Sequence, residues 1–406
     1  MPRGDSTNCR RDSRTRPEQE GRAIQSRTGA ELTGLTLPMW AEWNSSAPYT
    51  VGIEEEVMLL DPRDWSLAQR IDDVLPALST ALASQATAET HGAAIELESR
   101  PHDCAEGAAL EMSGLRAALE RELAAIGLRV ASAGTHPFAL WSDTEISGGA
   151  RYQHVYGSMR ELARREPTFA LHVHIGVTDP EAAILLHNRL RAHLPLLLAL
   201  SVNSPFWQGR DTGLRSARTP LFQMFPRVGI PRAFESYADY VDAVDLLFRC
   251  DAFPDPTFLW WDVRPQPRFG TVEVRIMDAQ TTTSETAALA SLVQSIAHLE
   301  LEEGYHTDSQ ETRAEVLGEN RFLAARDGMD ARLIDPLAEQ RVPARELLAR
   351  LLDATRPHAD ALGCNSSLEA LATIADESGA ARQLRLARTP ERLPDMVRLL
   401  SNAFVS

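Results

Sequence analysis

The chain has 406 residues, 44% of them hydrophobic, and its 57 acidic and 41 basic side chains give a formal net charge of −16. This composition allows a large core in one or two domains. The negative charge argues against nucleic acid or an anionic membrane as the main partner. The longest apolar run, 194–202, is too short to span a bilayer, and the scattered cysteines are typical of a reducing compartment. We therefore expect a globular, cytoplasmic protein.

Residues 1–36 differ in composition from the rest of the chain. They are rich in Arg, Ser, Thr and Gly and contain almost no large apolar side chain. Such a segment cannot bury enough surface to offset the entropy lost on ordering, and no apolar signal-peptide core follows its arginines. The sequence therefore predicts a disordered N-terminal extension over 1–36.

Four segments have the alternation of a strand and carry polar side chains at positions i and i+2. Successive side chains of a strand point to opposite faces, so Glu54 and Glu56 share one face of the first strand, 49–61, and Glu55 lies on the other. The other three pairs are Glu96/Glu98 in 91–100, His172/His174 in 169–177, and Glu273/Arg275 in the hairpin 257–279. Asp262 and Arg264 share a face of the first strand of that hairpin. These pairs predict a sheet with one polar and one apolar face.

Apolar residues recur with the helical period between and after these strands. The pattern predicts helices over 71–86, 106–126, 181–201 and 283–303, and a helical region from about 311 to the C-terminus. A long loop with glycines and prolines, 203–231, carries arginines and aromatics, and loops of this length are usually functional or disordered. We expect an α+β fold with helices against the apolar face of the sheet.

A sheet face lined by Glu, His and Arg is typical of an open active-site floor. Two neighbouring carboxylates repel each other unless a cation lies between them, and a cysteine-free, carboxylate-rich site suits Mg²⁺ or Mn²⁺. Mg²⁺ commonly binds carboxylates together with substrate phosphates, and arginines hold such anions with paired donors. The sequence has neither a GxxxxGK[ST] motif nor a strand-linked GxGxxG motif, so ATP would bind through the metals and arginines of the sheet itself.

Several separated motifs agree in order and spacing with one known family. They are GIEEE, LHVHIGV, NSPFWQGRDTG and WWDVRPQPRFGTVEVRIMDAQ. Together they resemble the carboxylate–amine ligases of the second glutamate–cysteine ligase family, in particular its YbdK-like members. The resemblance covers 48–406 and implies a single catalytic domain, helical from about 311. It also implies a glutamine-synthetase-like architecture, in which a curved, mostly antiparallel sheet binds ATP and divalent metals.

The resemblance also implies roles for individual residues. The implied metal ligands are Glu54, Glu56, Glu98, His172 and Glu273. Arg264 and Arg275 resemble the phosphate clamps, and with Glu273 they form the implied catalytic set. Further contacts to substrate or ATP are expected from His174, Asn203, Asp211 and Arg218. The stretch 213–218 departs from the aromatic composition of relatives, which leaves the substrate pair open.

The implied reaction joins a small carboxylic acid to an amine. ATP phosphorylates the carboxylate, and the amine then displaces phosphate to form an amide. Weak glutamate–cysteine ligase activity is one form of this reaction, and a homodimer is one option for assembly.

Two other interpretations remain open. HxH on a strand is also typical of metal-dependent amide hydrolases, although their fold needs strand–helix repeats that this chain lacks. A non-catalytic nucleotide- or metal-binding member of the family would keep the same Glu/His/Arg set. Within the site, Glu55 is expected to be structural and Glu96 could lie at the rim. His174 could be a metal ligand or a hydrogen-bond partner of one.

Overall fold

One antiparallel sheet organises the protein. The computed structural model describes residues 37–165, 167–306, 312–387 and 392–406. Its strands are β1 (Val51–Leu60), β2 (Ala86–Ala88), β3 (Ala94–Glu98), β4 (Arg129–Ala131), β5 (Ala170–Gly176), β6 (Phe206–Trp207), β7 (Arg210–Asp211), β8 (Val228–Gly229), β9 (Trp260–Trp261), β10 (Val263–Gln266), β11 (Thr271–Asp278), β12 (Arg332–Asp335) and β13 (Gln340–Pro343). The central sheet has the order β10–β11–β5–β1–β3–β2, and β4 pairs with β1. The remaining strands form three small two-stranded sheets.

Helices cover one face of this sheet and form most of the C-terminal part. They are α1 (Ile71–Ala77), α2 (Thr80–Ala83), α3 (Ala105–Ala125), α4 (Ala150–Met159), α5 (Pro180–Ser201), α6 (Arg218–Phe222), α7 (Tyr237–Arg249), α8 (Thr283–Glu302), α9 (Ala314–Asp327), α10 (Ala344–Leu362), α11 (Asn365–Asp376), α12 (Gly379–Leu386) and α13 (Leu393–Ala403). Helices α3, α5 and α8 contact the central strands, while α10 and α11 pack on α8. The predicted α+β class, with an antiparallel sheet, backing helices and a helical C-terminal region, is confirmed.

The apolar half of the strand alternation forms the main core. Ile53, Leu97, Val173 and Val274 are fully buried and belong to one cluster with the apolar sides of the backing helices. Burying a side chain of this size contributes about 1.5–3 kcal/mol, so the sheet is strongly held to its helices on this face. The opposite face is therefore left to the polar residues.

A buried ion pair crosses the apolar side and ties the first strand to the C-terminus. Glu55 accepts two hydrogen bonds from Arg116 of α3, at 2.7 and 2.8 Å, and both side chains are fully buried. The same guanidinium donates to the backbone carbonyls of Gln280, Thr281 and Phe404. Glu55 is thus structural, as its position on the reverse face predicted.

Two segments differ from the elements that their sequence period predicted. The helix predicted over 71–86 ends at Ala77, and Ser79 caps a new short helix while also bonding Glu122 of α3. The chain then adds an edge strand, β2, to the sheet. After 311 the region contains the β12–β13 hairpin besides its helices. The side-chain amide of Asn320 on α9 donates to the Ile334 carbonyl and accepts from the Ile334 N–H, which fixes the hairpin to the helix.

The chain from Pro38 to Ser406 forms one compact unit. The extension predicted to be disordered, 1–36, lies outside the described residues. Among the helices of the described part, none combines the length and the apolar character needed to cross a membrane.

Candidate active site

Strand register brings the polar residues of separate segments onto one face of the sheet. Glu54 of β1 lies opposite Glu98 of β3 on one side and His172 of β5 on the other. Residues directly opposite each other in an antiparallel sheet point to the same face, with Cβ atoms about 5 Å apart. Glu56 likewise faces Glu96. These carboxylates and the imidazole form one continuous row.

The row continues towards the other edge of the sheet. His174 of β5 lies opposite Glu273 of β11, and Glu273 lies opposite Arg264 of β10. Arg275 follows on β11, at an irregularity in its pairing with β5. All five residues predicted as metal ligands thus come together on the same face, together with both predicted phosphate clamps.

Three overlapping groups on this face have the spacing needed to hold a cation. In each group one ligand atom per residue lies within 4.8 Å of the others. The groups are Glu54/His174/Glu273, Glu54/Glu96/His172 and Glu56/Glu89/Glu96. Because Glu54 and Glu96 each belong to two groups, neighbouring cations would share carboxylate ligands, as carboxylates do in sites for Mg²⁺ or Mn²⁺.

The pKa values show where negative charge on this face is not compensated. Burial and the nearby Glu89 raise the pKa of Glu56 to about 7. Burial and the carboxylates around it raise the pKa of Glu96 well above its usual value. Burial and the nearby Glu54 also raise the pKa of Glu98. Glu54 differs, since the two histidines outweigh burial and hold its pKa below the usual range. Around Glu56, burial and Glu89 thus outweigh the positive charges of Arg218 and Arg275.

The two histidines of β5 have different surroundings. His172 Nδ1 lies 3.2 Å from Glu54 Oε2, and its buried Nε2 has no hydrogen-bond partner although Glu56 Oε1 is 3.9 Å away. Burial and Arg275 lower the pKa of His172 to about 4, so the imidazole is neutral. A neutral ring with a free nitrogen beside carboxylates is suited to metal ligation. His174 lies between Glu54, at 3.0 Å, and the Thr271 hydroxyl, at 2.9 Å.

Glu273 anchors both arginines of the hairpin. Arg264 donates to its two carboxylate oxygens at 2.7 and 3.3 Å, and Arg275 Nη1 contacts the same carboxylate. Arg264 also bonds the carbonyls of Thr257 and Leu259, so most of its donors are engaged within the protein. Arg275 keeps a buried Nε without a hydrogen-bond partner. Of the two predicted clamps, Arg275 has the donors available for an anion.

A third guanidinium group, that of Arg218, reaches the face from the long loop. Arg218 begins α6, donates to the carbonyls of Ile276 and Arg275 at 3.0 and 3.2 Å, and also has a buried, unpartnered Nε. The loop is fixed by Asp278 at the end of β11, which accepts hydrogen bonds from the hydroxyls of Ser204 and Ser216. The serines around this carboxylate thus hold Arg218 beside Arg275.

These groups line a small cavity with a mixed wall. Arg218, Arg275, Glu56, Glu89 and His172 provide its charged and polar side. Phe222, Phe225 and Trp260 provide its aromatic lining. Two guanidinium groups with free donors beside carboxylates can bind an anion and a cation in adjacent positions.

Two residues predicted to contact substrate are not brought to this face. Asn203 is fully buried, and its amide bonds the Ala279 carbonyl, the Thr281 hydroxyl and Gln383. Asp211 is exposed in the short hairpin and accepts a hydrogen bond from the Gly213 backbone. Asn203 packs within the scaffold, and Asp211 shapes its own turn.

Glu89 is the group at this site that sequence reasoning missed. It follows β2 and lies between the segment predicted as a helix, 71–86, and the segment predicted as a strand, 91–100, so neither pattern includes it. The only available signal was an acidic residue close to a segment that already held Glu96 and Glu98. The edge strand β2 brings it to Glu56.

Comparison with known proteins gives consistent matches over most of the chain. The family model described as "Glutamate-cysteine ligase family 2 (GCS2)" matches residues 50–400. A protein of Rubrobacter xylanophilus named "Putative glutamate--cysteine ligase 2-1" is 39% identical over 343 residues, which are 83% of this chain and 89% of that protein. One of Sorangium cellulosum named "Putative glutamate--cysteine ligase 2" is 39% identical over 349 residues, 84% of this chain and 92% of its own length.

Two solved structures share the fold at low sequence identity. One is a glutamate–cysteine ligase of Francisella tularensis in complex with AMP, with a TM-score of 0.61, 15% identity and 90% of each chain covered. The other is a bifunctional glutathione synthetase of Pasteurella multocida, with a TM-score of 0.66 and 13% identity. This second match covers 87% of the present chain and 52% of the glutathione synthetase chain.

Proposed function

This chain belongs to glutamate–cysteine ligase family 2, a family of ATP-dependent ligases, and from that premise we propose that it joins a small carboxylic acid to an amine. The family match confirms the resemblance drawn from the motifs. The observation that carries the proposal is the strand register, which lines one sheet face with glutamates, histidines and arginines from separate segments. Such a face has groups for the cations and for the anions that the reaction needs.

The donor set fits a hard divalent cation. Burial and neighbouring carboxylates raise the pKa values of Glu56 and Glu96, which a bound cation would reverse, and the unpartnered His172 Nε2 lies 3.9 Å from Glu56 Oε1. We propose that Mg²⁺ or Mn²⁺ is held by Glu54, Glu56, Glu89, Glu96 and His172, with Glu98 close to Glu54. The bound cation would neutralise phosphate oxygens, which otherwise repel an attacking carboxylate.

The arginines supply the anion-binding part of the site. Arg275 and Arg218 offer unpartnered guanidinium donors to the γ-phosphate of ATP or to the substrate carboxylate. Donors held in place before the reaction stabilise developing charge without reorganisation. Glu273, with both oxygens engaged by arginines, and Arg264 act mainly by positioning Arg275.

The proposed reaction has two balanced steps. A carboxylate oxygen of the acid attacks the γ-phosphorus of ATP, the bond to the bridging oxygen breaks, and ADP leaves. The amine nitrogen then attacks the acyl carbon of the resulting acyl phosphate, inorganic phosphate leaves, and the nitrogen loses a proton. The protein holds both reactants against one face, which replaces a bimolecular encounter by a positioned one.

The acid and the amine are open to experiment. Glutamate and cysteine are the first pair to test because the family is named for them, and weak turnover of that pair is expected. The aromatic residues of the cavity lining, Phe222, Phe225 and Trp260, would contact an apolar part of the acid.

An ADP-release screen of carboxylic acids against amines tests the proposal. With the correct acid, Mg²⁺ and ATP present but no amine, hydroxylamine should trap the acyl phosphate as a hydroxamate. Formation of product without ATP would instead support an amide hydrolase. ATP binding without ADP release across the whole panel would support a non-catalytic member of the family.

A further inference from the structure

A second cluster of metal-ligating side chains lies among the backing helices, away from the polar sheet face. His193 lies on α5 and Glu300 in the last turn of α8, and His306 follows shortly after α8 ends. One ligand atom from each of the three residues lies within 4.8 Å of the other two. The cluster shares no residue with the groups on the sheet.

The carboxylate of this cluster is held rigidly. Glu300 is fully buried and its Oε1 lies 2.6 Å from His193 Nε2. Its two oxygens also accept hydrogen bonds from the backbone N–H groups of Tyr305 and His306, at 3.1–3.2 Å. These bonds fold the chain after α8 back over Glu300, so the imidazole of His306 comes within 4.6 Å of that of His193, measured between ring centroids.

A cavity gives access to these ligands from outside the core. Its volume is about 500 Å³, and His193, Tyr305 and His306 form part of its wall. Asn320 and Arg350 line the same cavity. An ion could therefore reach the cluster through this cavity.

A hydrogen-bonded His–Glu pair needs no ion, and by itself it would account for His193 and Glu300. The cluster adds a second imidazole, that of His306, with a ring nitrogen within 4.8 Å of the ligand atoms of the other two residues. A tetrahedral zinc site with bonds of about 2.0–2.2 Å places its ligand atoms about 3.3 Å apart. The His193–Glu300 contact would have to widen by about 0.7 Å, which small rotations of the two side chains can provide.

We propose that His193, Glu300 and His306 form a binding site for a divalent cation of the zinc class. Two imidazoles and one carboxylate suit Zn²⁺, Co²⁺ or Ni²⁺ better than Mg²⁺, which prefers oxygen ligands. The fourth position faces the cavity and takes water or a small anion. The ion joins α5 to the chain that follows α8, so its binding stabilises that connection.

Cobalt binding to the full chain tests the site, with Mg²⁺ in large excess to occupy the carboxylates of the sheet. We expect one equivalent of Co²⁺ to remain bound and to show the intense visible absorption of a tetrahedral ion with nitrogen ligands. Substitution of His306, which is partly exposed and not needed for the core, by Ala should weaken Co²⁺ binding at least tenfold. His154→Ala, at an exposed position on α4, is the matched control and should leave binding unchanged.

Glu54→Gln separates this site from the sheet face. If the retained Co²⁺ is lost in Glu54→Gln and kept in His306→Ala, the ion lies on the sheet and the proposal is wrong. The absence of any Co²⁺ retained against Mg²⁺ would overturn it as well. A melting temperature raised by Zn²⁺ in the unmodified chain and in Glu54→Gln, but not in His306→Ala, would support it.

Discussion

Replacing Arg275 by Ala should remove a charge stabiliser from the proposed reaction while leaving the fold intact. The guanidinium contacts Glu273, and its Nη1 lies 3.3 Å from His172 Nδ1. In the variant, Arg264 and Gln266 still donate to the buried Glu273, so its charge stays compensated. We therefore expect a small change in melting temperature and a large change in rate.

The magnitude follows from the position of the unpartnered donor. A unit charge about 4 Å from a developing charge, at an effective dielectric constant of about 20, contributes about 4 kcal/mol. Loss of one pre-positioned donor in enzymes costs about 10²–10³ in rate, and the two scales agree. Arg275→Ala should lose at least about 10²-fold in hydroxamate formation at saturating Mg²⁺ and ATP. Arg275→Lys should recover part of it, since one ammonium cannot reproduce paired donors.

The assay is hydroxamate formation with the acid identified by the ADP-release screen. Arg268→Ala is the matched control, because Arg268 is an exposed arginine in the turn of the same hairpin. Its rate should equal that of the unmodified protein. The assignment of Arg275 to the chemical step would be refuted if Arg275→Ala formed hydroxamate at the rate of the unmodified protein. It would also be refuted if Arg275→Ala and Arg268→Ala lost the same fraction of that rate.

Three further changes test the metal site, the scaffold and the pH response. Glu89→Gln should raise the Mg²⁺ concentration needed for half-maximal activity about tenfold, whereas Glu145→Gln, at an exposed position, should not change it. Arg116→Ala should lower the free energy of unfolding by about 3–5 kcal/mol in urea titrations, because Glu55 is left buried without its partner; a loss below 1 kcal/mol would contradict this. Burial lowers the pKa of His136 from 6.5 to about 4, so its neutral form is favoured in the folded state. Stability should therefore fall by about 1.4 kcal/mol per pH unit as the pH drops from 6.5 to 4, and His136→Gln should remove that part of the slope.

Local alternation predicted which residues share a face, because the side-chain period of a strand is independent of its neighbours. It could not predict which strands are adjacent. That Glu54 lies between Glu98 and His172 depends on pairings across long stretches of sequence. The sequence therefore predicted the members of the polar face, and the fold determines their contacts.

Some contacts of the predicted site residues could not be predicted from the sequence, and they share one physical cause. Arg264 and Arg275 look alike in the sequence, because each stands two residues after an acidic residue of its strand. Only the fold shows that Arg264 donates to the backbone carbonyls of Thr257 and Leu259. Asn203 stands in a loop rich in polar residues, yet it is fully buried against β11. Tertiary packing determines hydrogen-bond partners of this kind, and no periodic pattern in the sequence reflects it.

The distribution of charge on the sheet face indicates which kind of ligand the proposed site complements. Near β11, the carboxylate of Glu273 is matched by guanidinium groups, and those groups hold its pKa well below the usual range despite burial. Near β3, Glu56 and Glu96 face other carboxylates, and burial with like charge raises their pKa values. Carboxylates therefore predominate towards β3, and the unpartnered guanidinium donors of Arg218 and Arg275 lie beside them in the cavity that contains Glu56. A metal-bound polyphosphate carries both charges and complements both kinds of group, which neither a free cation nor a free carboxylic acid can do alone.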